Sequence, residues 1–141
     1  KTKFILEYEM CYAVIRELKS RLAEKREAGD LFGAERGGTF SGIIKNLYQT
    51  FGGKPLYDTI ESKAAHLLYF VIKDHSFSDG NKRIGSFLFI YFLDKEKYLY
   101  RKDGERKIND NALVALALLI AESAPKEKEL MIDVIMNLLA E

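Results

Sequence analysis

The chain has 141 residues, is 48% hydrophobic and 30% charged, and carries a formal net charge of +1. That length and balance suit a single domain over 1–141 with a real hydrophobic core, and they exclude a disordered chain. The near-neutral charge excludes the broad basic footprint of a general nucleic-acid or membrane binder, while leaving room for a local basic site.

The sequence begins with Lys1 rather than methionine, so a fragment of a longer protein is one expectation. Phe4, Tyr8, Cys11, Ile15, Leu18 and Leu22 step by four and three, which predicts an amphipathic helix with one apolar stripe. Cys11, the single cysteine, lies on that stripe and reads as a buried small hydrophobe rather than a nucleophile. Without a disulfide framework a reducing cytoplasm is the expected compartment, delivery into another cell being left open. No signal peptide is visible, and no apolar run reaches spanning length. "EAGDLFGAERGG" breaks the helical pattern and reads as a loop, and a short helix is expected over 40–47. "YQTFGGKPLYD" places Gly52-Gly53 and Pro55 between aromatics, a turn or irregular hairpin.

Asp58 or Thr59 is placed to cap the next helix, with Glu61 in its first turn. Ile60, Ala64, Leu67 and Val71 mark its buried stripe, and it should end near Lys73; His66 flanks the stripe as a structural or partly exposed residue. Residues 84–93 are apolar almost all round, which predicts the most buried helix, at the centre of a bundle. Asp103-Gly104 signals a small hairpin, whose tyrosines and basic residues are interleaved with three acids and read as a solvated face. "NALVALALLIAES" predicts a further buried helix, "SAP" ends it, and Met131, Val134, Ile135 and Leu138 define a last amphipathic one. The predicted fold class is all-α, a helical bundle with one or two small hairpins.

One polar stretch interrupts this pattern. "DHSFSDGNKRIG", residues 74–85, gathers a histidine, an acid, a glycine, an amide, a lysine and an arginine between two core-like segments. Gly80 and Asn81 fall at the N-terminus of the second segment's helix, where free amides and the macrodipole favour an anion. Lys82 and Arg83 in its first turn oppose the dipole, a cost that a bound anion offsets. Gly80 permits close backbone approach or a positive φ. Asp79 is an oxygen ligand of the kind Mg²⁺ shares with nucleotide phosphates, or an N-cap. His75 is a general base for a hydroxyl, or a loop histidine bonded to backbone. Phe77 reads as an anchor that buries its ring and fixes the loop.

His75, Phe77, Asp79, Gly80, Asn81, Lys82 and Arg83 together resemble the signature of the Fic/Doc (Fido) family, H-x-F-x-[D/E]-G-N-[G/K]-R. The similarity extends upstream through "TFGGKPLYDTIESKAAHLLYFVIKDH" and covers roughly 40–121. The resemblance implies a Fic-type helical core and a transferase that moves AMP from ATP, or another nucleoside triphosphate, onto a Ser, Thr or Tyr hydroxyl of a target protein. His75 would be the base, Asp79 the Mg²⁺ ligand, Asn81 and the Gly80-side amides the anion hole, and Lys82 and Arg83 the remaining phosphate ligands. Thr50, Phe51, Gly52, Gly53 and Lys54 would form the flap that clamps the target in extended form.

Two departures shift this expectation. Lys82 stands where AMP-transferring members usually have glycine, and Ser86 where they carry a second arginine. "DGNKR" is closest to the Doc branch, whose toxins transfer the terminal phosphoryl group. That reaction, or a non-catalytic nucleotide-binding regulatory module, is the alternative. Ser20 with Glu24 and Ser123 with Glu127 have the four-residue step of the family's inhibitory helix, but lysine follows each glutamate, and both pairs read as caps and solvated faces. An antitoxin-like partner or an inhibitory segment is the expected control.

Overall fold

Residues 4–140 are described by a computed structural model. Among them six α-helices follow in chain order: α1 Tyr8–Glu24, α2 Thr39–Leu47, α3 Ile60–Lys73, α4 Asn81–Lys95, α5 Asp110–Glu122 and α6 Lys128–Leu139. A two-stranded antiparallel hairpin, β1 Thr50–Phe51 and β2 Lys54–Pro55, separates α2 from α3. The all-α prediction holds.

Helix α1 starts at Tyr8 and not at Phe4, as the stripe predicts. The reason is Leu6, buried in an extended lead-in with its N–H donating to the Tyr48 hydroxyl at 2.8 Å. Phe4 packs from that lead-in against Tyr91 and Phe92 of α4, ring centres 6.3 and 6.5 Å away. Cys11 is fully buried, and burial pushes its thiol up to about 12, which fits a packing residue and not a nucleophile.

The centre of the bundle is α3, not α4. Ten of the 14 residues of α3 are buried, against six of the 15 of α4, and α3 packs against α2, α4, α5 and α6. Its side chains match that position: Ala64 and Ala65 let neighbours come close, while Leu67, Leu68, Val71 and Ile72 fill the space between them. Helix α4 buries Ile84, Leu88, Phe89, Phe92 and Leu93 but leaves Phe87 exposed and Ile90 and Tyr91 half-covered. Gly85 brings α4 close to α3, since a β-carbon there would stand 3.2 Å from Ile72 and 3.4 Å from Val71. Thr59 caps α3, accepting from the Ser62 N–H at 3.0 Å, and the helix ends at Lys73 as predicted.

Helix α5 is also less buried than predicted. It packs on α3 and α4 through Leu113, Leu116, Ala117 and Ile120, while Val114, Leu118 and Leu119 face outward. A helix at the bundle's edge has neighbours on one side only, whatever its composition. In α6, Met131 and Ile135 are buried as expected, Val134 is half-buried, and Leu138 gives way to Ile132 and Leu139. The hairpin at Asp103-Gly104 is reduced to one bridge, Tyr100 to Arg106, around Gly104 at φ 93°. Among the described residues no helix is long and apolar enough to cross a membrane.

Candidate active site

The end of α3, the start of α4 and the segment 27–36 meet around the stretch 74–83. Asp74 closes α3, its N–H bonded to Phe70 O at 2.9 Å. Burial raises the Asp74 carboxyl, opposed by the charges of Lys128 and His75. His75 follows at φ 48°, the left-handed position that glycine most often takes after a helix end. A β-carbon in that conformation costs roughly 1–2 kcal/mol. The chain thus holds an exposed histidine where local backbone energy favours glycine, as it does Arg26 after α1 and Lys97 after α4 at φ 59° and 58°.

Phe77 turns inward. Its ring is 1% exposed and lies 5.2 Å from the ring of Phe40 on α2. Asn81 then brackets the Phe77 backbone: its Oδ1 accepts from the Phe77 N–H at 2.9 Å, and its Nδ2 donates to Phe77 O at 2.8 Å. The Asn81 side-chain amide is therefore engaged within the loop. Gly80 caps α4 at φ 90° and ψ 14°. The Ile84 N–H is bonded to Gly80 O at 2.7 Å, so the main-chain amides of Asn81, Lys82 and Arg83 lie ahead of the first helical bond. That end of a 15-residue helix is an anion-binding geometry.

The segment 27–36, predicted only as a loop, braces all of this. Gly33 N–H donates to Asp79 O (3.1 Å), Ala34 O accepts from the Ser78 N–H (2.8 Å), and Arg36 N–H donates to Ser76 O (2.9 Å). Phe32 is fully buried, and a β-carbon at Gly80 would overlap its ring. The Arg83 guanidinium lies over the same ring, 4.7 Å from its centre, with Nη1 donating to Glu27 O at 2.6 Å. The Tyr8 hydroxyl donates to Glu35, a bond that raises the phenol to about 12 and ties the segment to α1. One signal was available in the sequence: a lone phenylalanine among glycines and charges is as anomalous at position 32 as at position 77.

The remaining candidates are solvent-facing. Asp79 and Lys82 are exposed, and neither side chain has a hydrogen-bond or ion-pair partner among the described residues. Ser86 is half-buried and lines an apolar-walled cleft with Arg83, Phe87, Ile90, Arg106 and Leu113. A second, polar cleft lies on the hairpin side, bordered by Lys45, Asn46, Gln49, Phe70 and Asp74. Thr50, Phe51, Gly52, Gly53 and Lys54 form the hairpin and are all exposed, Phe51 at 85%. Gly52 and Gly53 sit at φ 61° and 80°, the two positive values of a tight hairpin turn. His66 is buried, bonded through Nδ1 to Ser62 O at 2.7 Å and stacked on Tyr57 at 3.8 Å, and burial lowers its pKa. It is structural, as predicted. Ser123 and Glu127 act as caps, bonded to Ile120 O (2.7 Å) and the Ala124 N–H (2.8 Å); Ser20 and Glu24 are exposed.

A profile of the Fic/DOC family matches residues 9–93. The chain belongs to the Fic/DOC family. Fic/DOC proteins are in general enzymes that modify other proteins, and the helical fold here agrees with a Fic-type domain. The Fic/DOC match reaches further upstream than the similarity at 40–121, taking in α1 and the bracing segment, and it ends at Leu93, before α5. No curated protein and no solved structure matches the chain.

Proposed function

We propose that this Fic/DOC chain transfers AMP from ATP, or a related nucleotide, onto a Ser, Thr or Tyr hydroxyl of a target protein. The observation that carries the reading is the exposed His75 at the head of a braced loop that runs into an anion-receptive helix start. His75 takes the proton of the acceptor hydroxyl. The oxygen bonds to the α-phosphorus, the bond to the bridging oxygen breaks, and pyrophosphate leaves. The amides of Asn81, Lys82 and Arg83 receive the negative charge that builds on the attacked phosphate, and the cations of Lys82 and Arg83 hold the others. The Asp79 carboxylate, without a partner among the described residues, suits Mg²⁺, which takes one or two carboxylates plus phosphate and water and would neutralise phosphate charge when bound. The target is held as an added strand on the exposed hairpin, its side chains reaching the polar cleft beside Asp74. Both Ser-x-x-x-Glu pairs are accounted for as caps or solvated faces, so control by a separate antitoxin-like protein or inhibitory segment is part of the proposal.

Transfer of the terminal phosphoryl group is the second reading. It is favoured by Lys82 and by Ser86, which leave a point charge and no second guanidinium at that step of α4. ATP labelled separately on the α and γ phosphates, incubated with the protein and a bacterial lysate, separates the two. Protein-bound α label is expected. Label from γ alone establishes phosphorylation, and no label on any protein, with His75→Ala indistinguishable from wild type in cells, sinks the enzyme.

A further inference from the structure

We infer that Phe32, outside the signature and on the bracing segment, is the positioning residue for Arg83 and for the α4 anion site. Its fully buried ring serves two parts of the site at once. One is the Arg83 guanidinium, which lies on it at 4.7 Å and is fixed at its end by Glu27 O at 2.6 Å. The other is the α4 cap, since the ring fills the space that a side chain at Gly80 would need. The main chain adds a third link, because Phe32 and Gly33 run beside Asp79, the Gly33 N–H bonding Asp79 O at 3.1 Å. An arginine free in solvent gives up its side-chain freedom when it grips a phosphate; one already laid on an aromatic face has less to give up. The same contact eases the cost of a cation in the first turn of a helix, where the dipole opposes it. Leucine would preserve burial at position 32 but offers no π face.

This inference rests on the proposed nucleotide site, and the test separates the two. Mg-ATP affinity is measured by calorimetry for wild type, Phe32→Leu, Arg83→Gln and the double variant, with melting curves as a check on folding. Phe32→Leu is expected to weaken binding about three- to tenfold. In the Arg83→Gln background it is expected to weaken binding less, because the part exerted through the guanidinium is gone and only the part exerted through the α4 cap remains. Undiminished affinity in folded Phe32→Leu, or an equal loss in both backgrounds, overturns the inference. If Phe32→Leu does not fold, Phe32→Met replaces it, judged by the same outcomes. If wild type binds no nucleotide, the proposed function fails, and the Arg83 Nε–H resonance decides the positioning role. A slowly exchanging signal in wild type that is lost in the variant upholds it; a signal already averaged in wild type sinks it.

Discussion

The hairpin at 50–55 and the loop at 74–80 both lead toward a helix, and both contain left-handed residues, yet they are held in opposite ways. The hairpin has two paired positions, no buried side chain, and open space around Gly52 and Gly53. The loop has the buried Phe77, two bonds from Asn81, three main-chain bonds to 33–36, and Phe32 packed on Gly80. A two-stranded hairpin by itself is marginal in water, whereas a loop tied at each step is fixed before any ligand arrives. The half of the site assigned to phosphate is thus preorganised, and the half assigned to the target is left for the target to order.

The largest break in this contrast comes from Phe77→Ala. Emptying a fully buried phenylalanine site is expected to destabilise the protein by roughly 3–5 kcal/mol, read as a large fall in denaturation midpoint. A loss below about 1 kcal/mol would mean that the core does not hold the loop. Next is a matched pair, Gly80→Ala and Gly53→Ala. Both glycines have positive φ, 90° and 80°, but only at Gly80 does the new carbon meet a ring. Gly53→Ala is expected to cost about 1 kcal/mol and to leave Mg-ATP affinity unchanged. Gly80→Ala is expected to cost roughly 2–4 kcal/mol, combining strain with overpacking, and to abolish nucleotide binding. Equal effects would erase the distinction. A smaller change, of opposite sign, is expected from His75→Gly. Relieving the left-handed position at φ 48° should stabilise the chain by roughly 0.5–1 kcal/mol while transfer is lost. Loss of stability would show that the histidine makes contacts worth more than its strain.

What was legible in the sequence follows the same division. The Thr59 cap, the Gly52-Gly53 turn, the Phe77 anchor and the positive φ at Gly80 each express chemistry within a few residues, and each is found as read, whereas the N-cap of α4 is Gly80 and not Asp79. The bracing by 27–36 was not legible, because it pairs main-chain atoms forty or more positions apart and main-chain bonding leaves little imprint on residue type. Nor was the rank of α3 over α4. Apolar content states how much a helix is able to bury, while the number of neighbours decides how much it does, as the outward Phe87, Val114 and Leu119 show. The Asn81 side-chain amide brackets Phe77, a structural bond that its place in the signature does not announce.

The smallest expected effect concerns the root of the hairpin. Tyr57 follows β2 and stacks on His66 at 3.8 Å, so a residue buried in α3 secures the stem of an otherwise loose element. Burial lowers the His66 pKa below its ordinary 6.5, so the fold favours the neutral ring. The sign follows from proton uptake. Well above 6.5 the folded and unfolded chains both carry neutral histidine, and the contribution is intact. As pH falls below that value the unfolded chain takes up a proton that the folded one resists, and stability is lost. Asp74 acts in the reverse direction, since its carboxyl is raised by burial and the fold favours the protonated form, but it does so nearer the carboxylate range. The window for His66 is therefore about pH 7.5 to about pH 5.5. Across it the melting temperature of wild type is expected to fall more than that of His66→Gln, with His75 present in both and cancelling. Parallel curves would show that protonating His66 costs the fold nothing, and that the hairpin's stem does not depend on a neutral imidazole beneath Tyr57.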